Sequence, residues 1–152
     1  MNFCLKEAIG RLASVRILIV DDHGPWRLAI SSFLQQQKDL EVICEASDGL
    51  EAVEKSAALQ PDVVLLDISL PNLNGFEAAR QIRKVSPGSR ILFLTSHDSP
   101  DLVQEALRIG ALGFVIKSDA ASDLLPAVSA VMRDQRFVRS RLCPNDSMIQ
   151  HS

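Results

Sequence analysis

Cysteine is scarce in this chain of 152 residues: Cys4, Cys44 and Cys143 are odd in number, far apart and free of any CxxC spacing. Such a set offers neither a disulfide framework nor a zinc site and fits a reducing cytoplasm. Long apolar runs are missing too, since nowhere do the roughly 18 consecutive apolar residues of a spanning helix occur. The first residues, MNFCLKEAIGRLAS, carry too many charges and too short an apolar run for a signal-peptide core. The expectation is a soluble cytoplasmic protein without membrane contact. Positive charge is not in excess: sixteen Lys and Arg stand against nineteen Asp and Glu, for a net charge of −3. That balance argues against nucleic acid as a direct partner of this chain.

What is present is enough apolar residue, 47% by composition, to fill one core of ordinary size. Four short runs, Val15 to Val20, Val63 to Leu66, Ile91 to Leu94 and Phe114 to Ile116, read as strands buried on both faces. Leu40 to Cys44 is a weaker fifth. Between them, Trp26, Ile30, Phe33 and Leu34 recur at helical steps, as do Leu102, Val103, Ala106, Leu107 and Ile109, and again Leu124, Leu125, Val128 and Val131. Gly49 to Leu59 and Gly75 to Val85 supply two more helices, with breakers at Pro61, Pro87-Gly88 and Gly110. Strict alternation of strand and helix predicts a doubly wound α/β fold with a parallel sheet and helices on both faces. Working residues of such folds sit at the carboxyl ends of the strands.

Those ends carry a consistent chemistry. The first strand runs into Asp21-Asp22, the third into Asp67, the fourth into Thr95-Ser96 and the fifth into Lys117. Three carboxylates gathered together repel one another by about 4 kcal/mol per close pair at an effective dielectric near 20, so they need cations. Lys117 is one, and an oxygen-only ligand set suits hard Mg²⁺ as another. Taken singly, Asp21 and Asp22 read as a helix N-cap pair before Pro25, Asp67 as a turn residue before Pro71, Lys117 as a solvated lysine and Thr95 as a strand former. Jointly they read as a site. His23 and His151 have no paired ligand at useful spacing, and Trp26 reads as a helix-packing residue.

The blocks VRILIVDDH, VVLLDISLPNLNG, ILFLTSHD and GALGFVIKSD resemble the signature blocks of response-regulator receiver domains, CheY-like, from Val15 to about Met132. The intervals agree: Asp67 follows Asp22 by 45 residues, Thr95 follows Asp67 by 28, and Lys117 follows Thr95 by 22. The resemblance implies a flavodoxin-like (βα)5 fold with a five-stranded parallel sheet in the order 2-1-3-4-5. It implies that Asp67 is the phosphoacceptor, that Asp22, Asp67 and the backbone carbonyl of Ser69 bind Mg²⁺, and that Asp21 does so through water. Lys117 neutralises the moving phosphoryl group, while Thr95 and Phe114 form the switch, with Phe114 turning inward once Thr95 has moved. Phe in place of Tyr at 114 leaves that switch to report through packing. Gly75 matches the glycine of the PxxxG loop, and His97 lines the site entrance or lies in solvent.

Ser118 after Lys117, together with DDHGPWR and GALGFVIKSDAASDLLPAVSAV, resembles the NarL/LuxR-type branch of the family. Members of that branch continue into a helix-turn-helix domain, which the residues after Val138 are too few to form. The expected organisation is an N-terminal extension (1–14), a receiver domain (15–134) and a tail or truncated linker (135–152), with Arg133, Arg136, Arg139 and Arg141 in a solvated helix end and linker. The expected partners are a sensor histidine kinase or phosphotransfer protein and a phosphorylation-dependent homodimer using the face of helix 4, strand 5 and helix 5. No enzymatic turnover is expected beyond the chain's own phosphorylation and dephosphorylation. Two alternatives stand beside a truncated transcriptional regulator: a stand-alone receiver signalling by protein contacts, and a pseudo-receiver that is never phosphorylated. A haloacid-dehalogenase-type enzyme wants a second Asp where Ser69 stands, and an FMN carrier would find its phosphate repelled by Asp21-Asp22.

Overall fold

The structure, a computed structural model, describes residues 14–139 and 142. The readings for residues 1–13, for Arg141 and for 143–152 lie outside the described residues. The chain alternates β1 (Val15–Val20), α1 (Gly24–Gln35), β2 (Leu40–Ala46), α2 (Gly49–Leu59), β3 (Val63–Leu66), α3 (Gly75–Val85), β4 (Arg90–Thr95), α4 (Pro100–Arg108), β5 (Gly113–Ile116), α5 (Ala120–Met132) and β6 (Phe137–Val138). A single 3₁₀ turn, Lys117–Asp119, leads from β5 into α5.

Every neighbouring pair in the sheet is parallel, in the order β2-β1-β3-β4-β5-β6. Period-2 alternation divides the apolar strand residues between two cores. Leu18, Val20, Val64, Leu66, Ile91, Phe93, Phe114 and Ile116 pack beneath α2, α3 and α4 through Ala52, Ala78, Ala79, Ile82, Val103 and Ala106. Ile17, Ile19, Val63, Leu65, Leu92, Leu94 and Val115 face α1 and α5, meeting Ile30, Leu34, Leu124, Ala127, Val128 and Val131. This is the doubly wound arrangement that buries parallel strands on both faces. Helices end where the breakers predict: Gln60 after α2 is left-handed at φ 49°, and Gly110, just after α4, has φ 101°. Among the described residues no helix is long and apolar enough to cross a membrane.

The five-stranded expectation needs correction, because a sixth strand extends the sheet. Phe137 and Val138 pair with Gly113 and Phe114 of β5. A two-residue strand is too short to leave a periodic signature, and its arginine-rich surroundings read as solvated linker. Val138 and Leu142 instead bury in the same core as Phe114. Arg139 is tied to the carboxylate of Asp123, which is 1% exposed within α5. The last described residues are therefore part of the packed domain.

Candidate functional site

Strand register places the chemistry. Val20 stands level with Leu66, Leu66 with Phe93, and Thr95 with Ile116. The residues at or just after those ends, Asp21, Asp67, Thr95 and Lys117, therefore share one edge of the sheet. One carboxylate oxygen each from Asp21, Asp22 and Asp67 lies within 4.8 Å of the others. Asp21 and Asp67 are buried, whereas Asp22 faces solvent.

The Lys117 ammonium bridges the two buried carboxylates, 2.6 Å from Asp21 Oδ2 and 3.1 Å from Asp67 Oδ2. Burial pulls its pKa down, but the hydrogen bond to Asp21 and the charge of Asp67 outweigh burial and hold it above the usual lysine range. The lysine is thus a fixed positive charge. Three carboxylates and one ammonium leave the cluster two negative charges in excess. All its ligand atoms are hard oxygens, so it is an acidic site suited to one divalent cation.

The backbone holds these groups in place. The Ile68 amide donates to Asp67 Oδ1 at 2.7 Å, and the His23 amide donates to Asp21 Oδ1 at 2.8 Å. Arg27 braces the Asp21 carbonyl at 2.6 Å while pairing with Glu45 at 2.9 Å. The loop after Asp67 folds back so tightly that a Cβ on Gly75 would stand 2.1 Å from the Asp67 carbonyl oxygen and 2.7 Å from Ile68 Cα. Glycine is required there by close approach of backbone to backbone. Asn74 then caps α3 by accepting from the Glu77 amide at 3.0 Å.

The remaining expected residues are distributed as follows. Ser69 is exposed on the Asp67 loop, and its hydroxyl meets Nε2 of His97, itself exposed, at 3.0 Å. Thr95 is fully buried at the end of β4, with its hydroxyl accepting from the His97 amide at 3.3 Å. Phe114 is fully buried, its ring centroid 6.4 Å from that of Phe93, and it stands level with Val138. Neither Asp21 nor Asp22 caps α1. His23 does, its Nδ1 accepting from the Trp26 amide at 3.2 Å, which leaves both carboxylates available to the site. Sequence reasoning missed the contact of Trp26 with the site: its ring centroid is 5.3 Å from Lys117 Nζ. The only signal was its place in the first turn after Asp21-Asp22.

Residues 17–129 match the family described as the response regulator receiver domain. The chain belongs to that family. The transcriptional regulatory protein LiaR of Bacillus subtilis is 34% identical over 139 residues, covering 91% of this chain and 66% of LiaR. The response regulator protein VraR of Staphylococcus aureus is 37% identical over 122 residues, covering 80% of this chain and 58% of VraR. A two-component response regulator of the LuxR family from Aurantimonas superposes with a TM-score of 0.82 at 30% identity, covering 89% of this chain and 96% of that structure. The LuxR-type resemblance thus holds for a receiver domain that spans 58% to 66% of these two curated relatives.

Proposed function

We propose that this receiver domain accepts a phosphoryl group on Asp67 in a two-component phosphorelay. The observation that carries the reading is the Lys117 ammonium held between Asp21 and Asp67 inside the three-carboxylate cluster. Asp67 is the nucleophile: a carboxylate oxygen forms a bond to phosphorus as the bond from phosphorus to the donor atom breaks. The donor is a phosphohistidine of a sensor kinase or phosphotransfer protein, or a small acyl phosphate. Asp22, Asp67 and the Ser69 carbonyl would hold Mg²⁺, with Asp21 joined through water. Bound there, the ion supplies positive charge to the phosphoryl oxygens. Lys117 adds a second positive charge, and such neutralisation together with positioning is what phosphoryl transfer requires of a protein. The Ile68 amide orients Asp67, and Asp21 and Asp67 lie in the buried floor of the site.

Thr95 is the switch hydroxyl, exchanging its bond to the His97 amide for one to the phosphoryl oxygens. Phe114 packs against Phe93 and stands level with Val138, so a movement of Thr95 is passed on by repacking around these side chains. The outcome is a changed surface on α4, β5 and α5, suited to a homodimer or to a cytoplasmic partner. Output through transcription belongs to this reading when an effector domain is joined to the receiver. A stand-alone receiver working through protein contacts uses the same switch without one. Apart from its own phosphorylation and dephosphorylation, the domain turns over no substrate.

Acetyl phosphate with Mg²⁺ should add one phosphoryl group to the wild-type chain, read by intact mass or phosphate-affinity electrophoresis. D67N should take up none. Equal labelling of D67N, or a wild-type chain that stays unmodified, would overturn the proposal in favour of a pseudo-receiver.

A further inference from the structure

We infer that Trp26 is a positioning residue for Lys117, holding the ammonium over the acceptor site by a cation–π contact. The inference rests on the phosphoacceptor reading above. Three observations meet here. The Lys117 ammonium lies 5.3 Å from the centroid of the Trp26 ring, within the range at which an aromatic face attracts a cation. The Lys117 side chain is only 17% exposed, and poor hydration strengthens such contacts. Trp26 is itself fixed in the first turn of α1, where the His23 cap accepts its amide and Pro25 precedes it.

The hold of the two carboxylates on the ammonium depends on their charges. An ammonium has three donors, and attraction to Asp21 and Asp67 draws Lys117 toward whichever carries the larger uncompensated charge. When the charge of Asp21 is taken up by a cation, or that of Asp67 is changed by phosphorylation, those attractions change. The indole face carries no titrating charge, so its attraction for the ammonium does not follow theirs. It gives the lysine one neighbour that is the same before and after transfer, and it joins α1 to the end of β5 across the mouth of the site.

Replacement by leucine keeps an apolar body on α1 but removes the π face, whereas phenylalanine keeps a weaker one. W26L should slow modification by saturating acetyl phosphate with Mg²⁺ by about three- to thirtyfold, the range such contacts span. The donor concentration for half-maximal rate should stay close to that of the wild type, and W26F should recover most of the rate. A second readout needs no phosphoryl transfer. Trp26 is the one tryptophan in a chain without tyrosine, so near-ultraviolet-excited emission reports its surroundings. In metal-free protein, K117M should shift that emission, with urea midpoints checking that each variant is folded. A wild-type rate in W26L, equal slowing in W26L and W26F, or emission indifferent to K117M would each overturn the inference while leaving the phosphoacceptor reading intact. Failure of the wild-type chain to be modified would instead remove that reading and this inference together.

Discussion

Replacing Asp22 with asparagine should make the metal-free protein more stable while removing most of its response to Mg²⁺. The carboxylates of Asp21, Asp22 and Asp67 approach within 4.8 Å, so Asp22 takes part in two repulsive pairs. At that separation each pair costs about 3.5 kcal/mol at an effective dielectric of 20 and about 0.9 kcal/mol in water. Asp22 faces solvent, which places it near the lower figure, and the Lys117 ammonium close by offsets part of the repulsion. D22N should therefore gain about 1 kcal/mol in the absence of metal, which for a domain of this size raises Tm by about 2–4 °C. Free Mg²⁺ at ten times its Kd should stabilise the wild type by about 1.4 kcal/mol through binding to the folded state alone. D22N, with one ligand neutral, should gain little. The assay is urea or thermal unfolding of both proteins in EDTA and in Mg²⁺. A D22N protein less stable than wild type in EDTA, or one that gains as much from Mg²⁺, would refute the reading of this acidic cluster as a cation site.

Two further outcomes test a close backbone approach and a surface ion pair. G75A should destabilise the domain by about 2 kcal/mol or more, because the new Cβ would sit 2.1 Å from the Asp67 carbonyl oxygen and force the loop after Asp67 to move; chemical denaturation reads the loss, and an unchanged midpoint would show that the loop yields without cost. Lys55, followed by the Ser47 amide, lowers the Glu51 pKa from 4.5 to about 2. A depressed carboxyl contributes stability that is present above its unfolded pKa and lost as pH falls through its folded pKa. The difference between wild type and E51Q should accordingly be constant above about pH 5 and shrink between pH 4.5 and 2, as followed by urea titration across that range, and it should weaken in high salt because the pair is partly exposed.

Much of this protein was legible in its residue order. Short apolar runs at Val15 to Val20 and Val63 to Leu66, buried on both faces and alternating with helices that stop at Gln60-Pro61 and Gly110, point to a doubly wound parallel sheet. Once that topology is granted, the strand ends must gather, and Asp21, Asp22, Asp67 and Lys117 meet although they are spread across the chain. Spacing carries that information because each strand and each crossover has nearly fixed length. Contacts that depend on how side chains pack carried no such signal. Trp26 and Lys117 are 91 positions apart, and only the docking of α1 against the end of β5 brings ring and ammonium together. The same holds for His23 taking the cap that either aspartate was chemically able to fill, and for Phe114 packing against Phe93. It holds as well for Phe137-Val138, two residues too few for a period, which become a strand because β5 offers an unpaired edge and Asp123 a buried carboxylate for Arg139. Local pattern determined the elements and the reactive edge, while tertiary packing decided the neighbours that tune them, because burial and charge act between surfaces that meet only after folding.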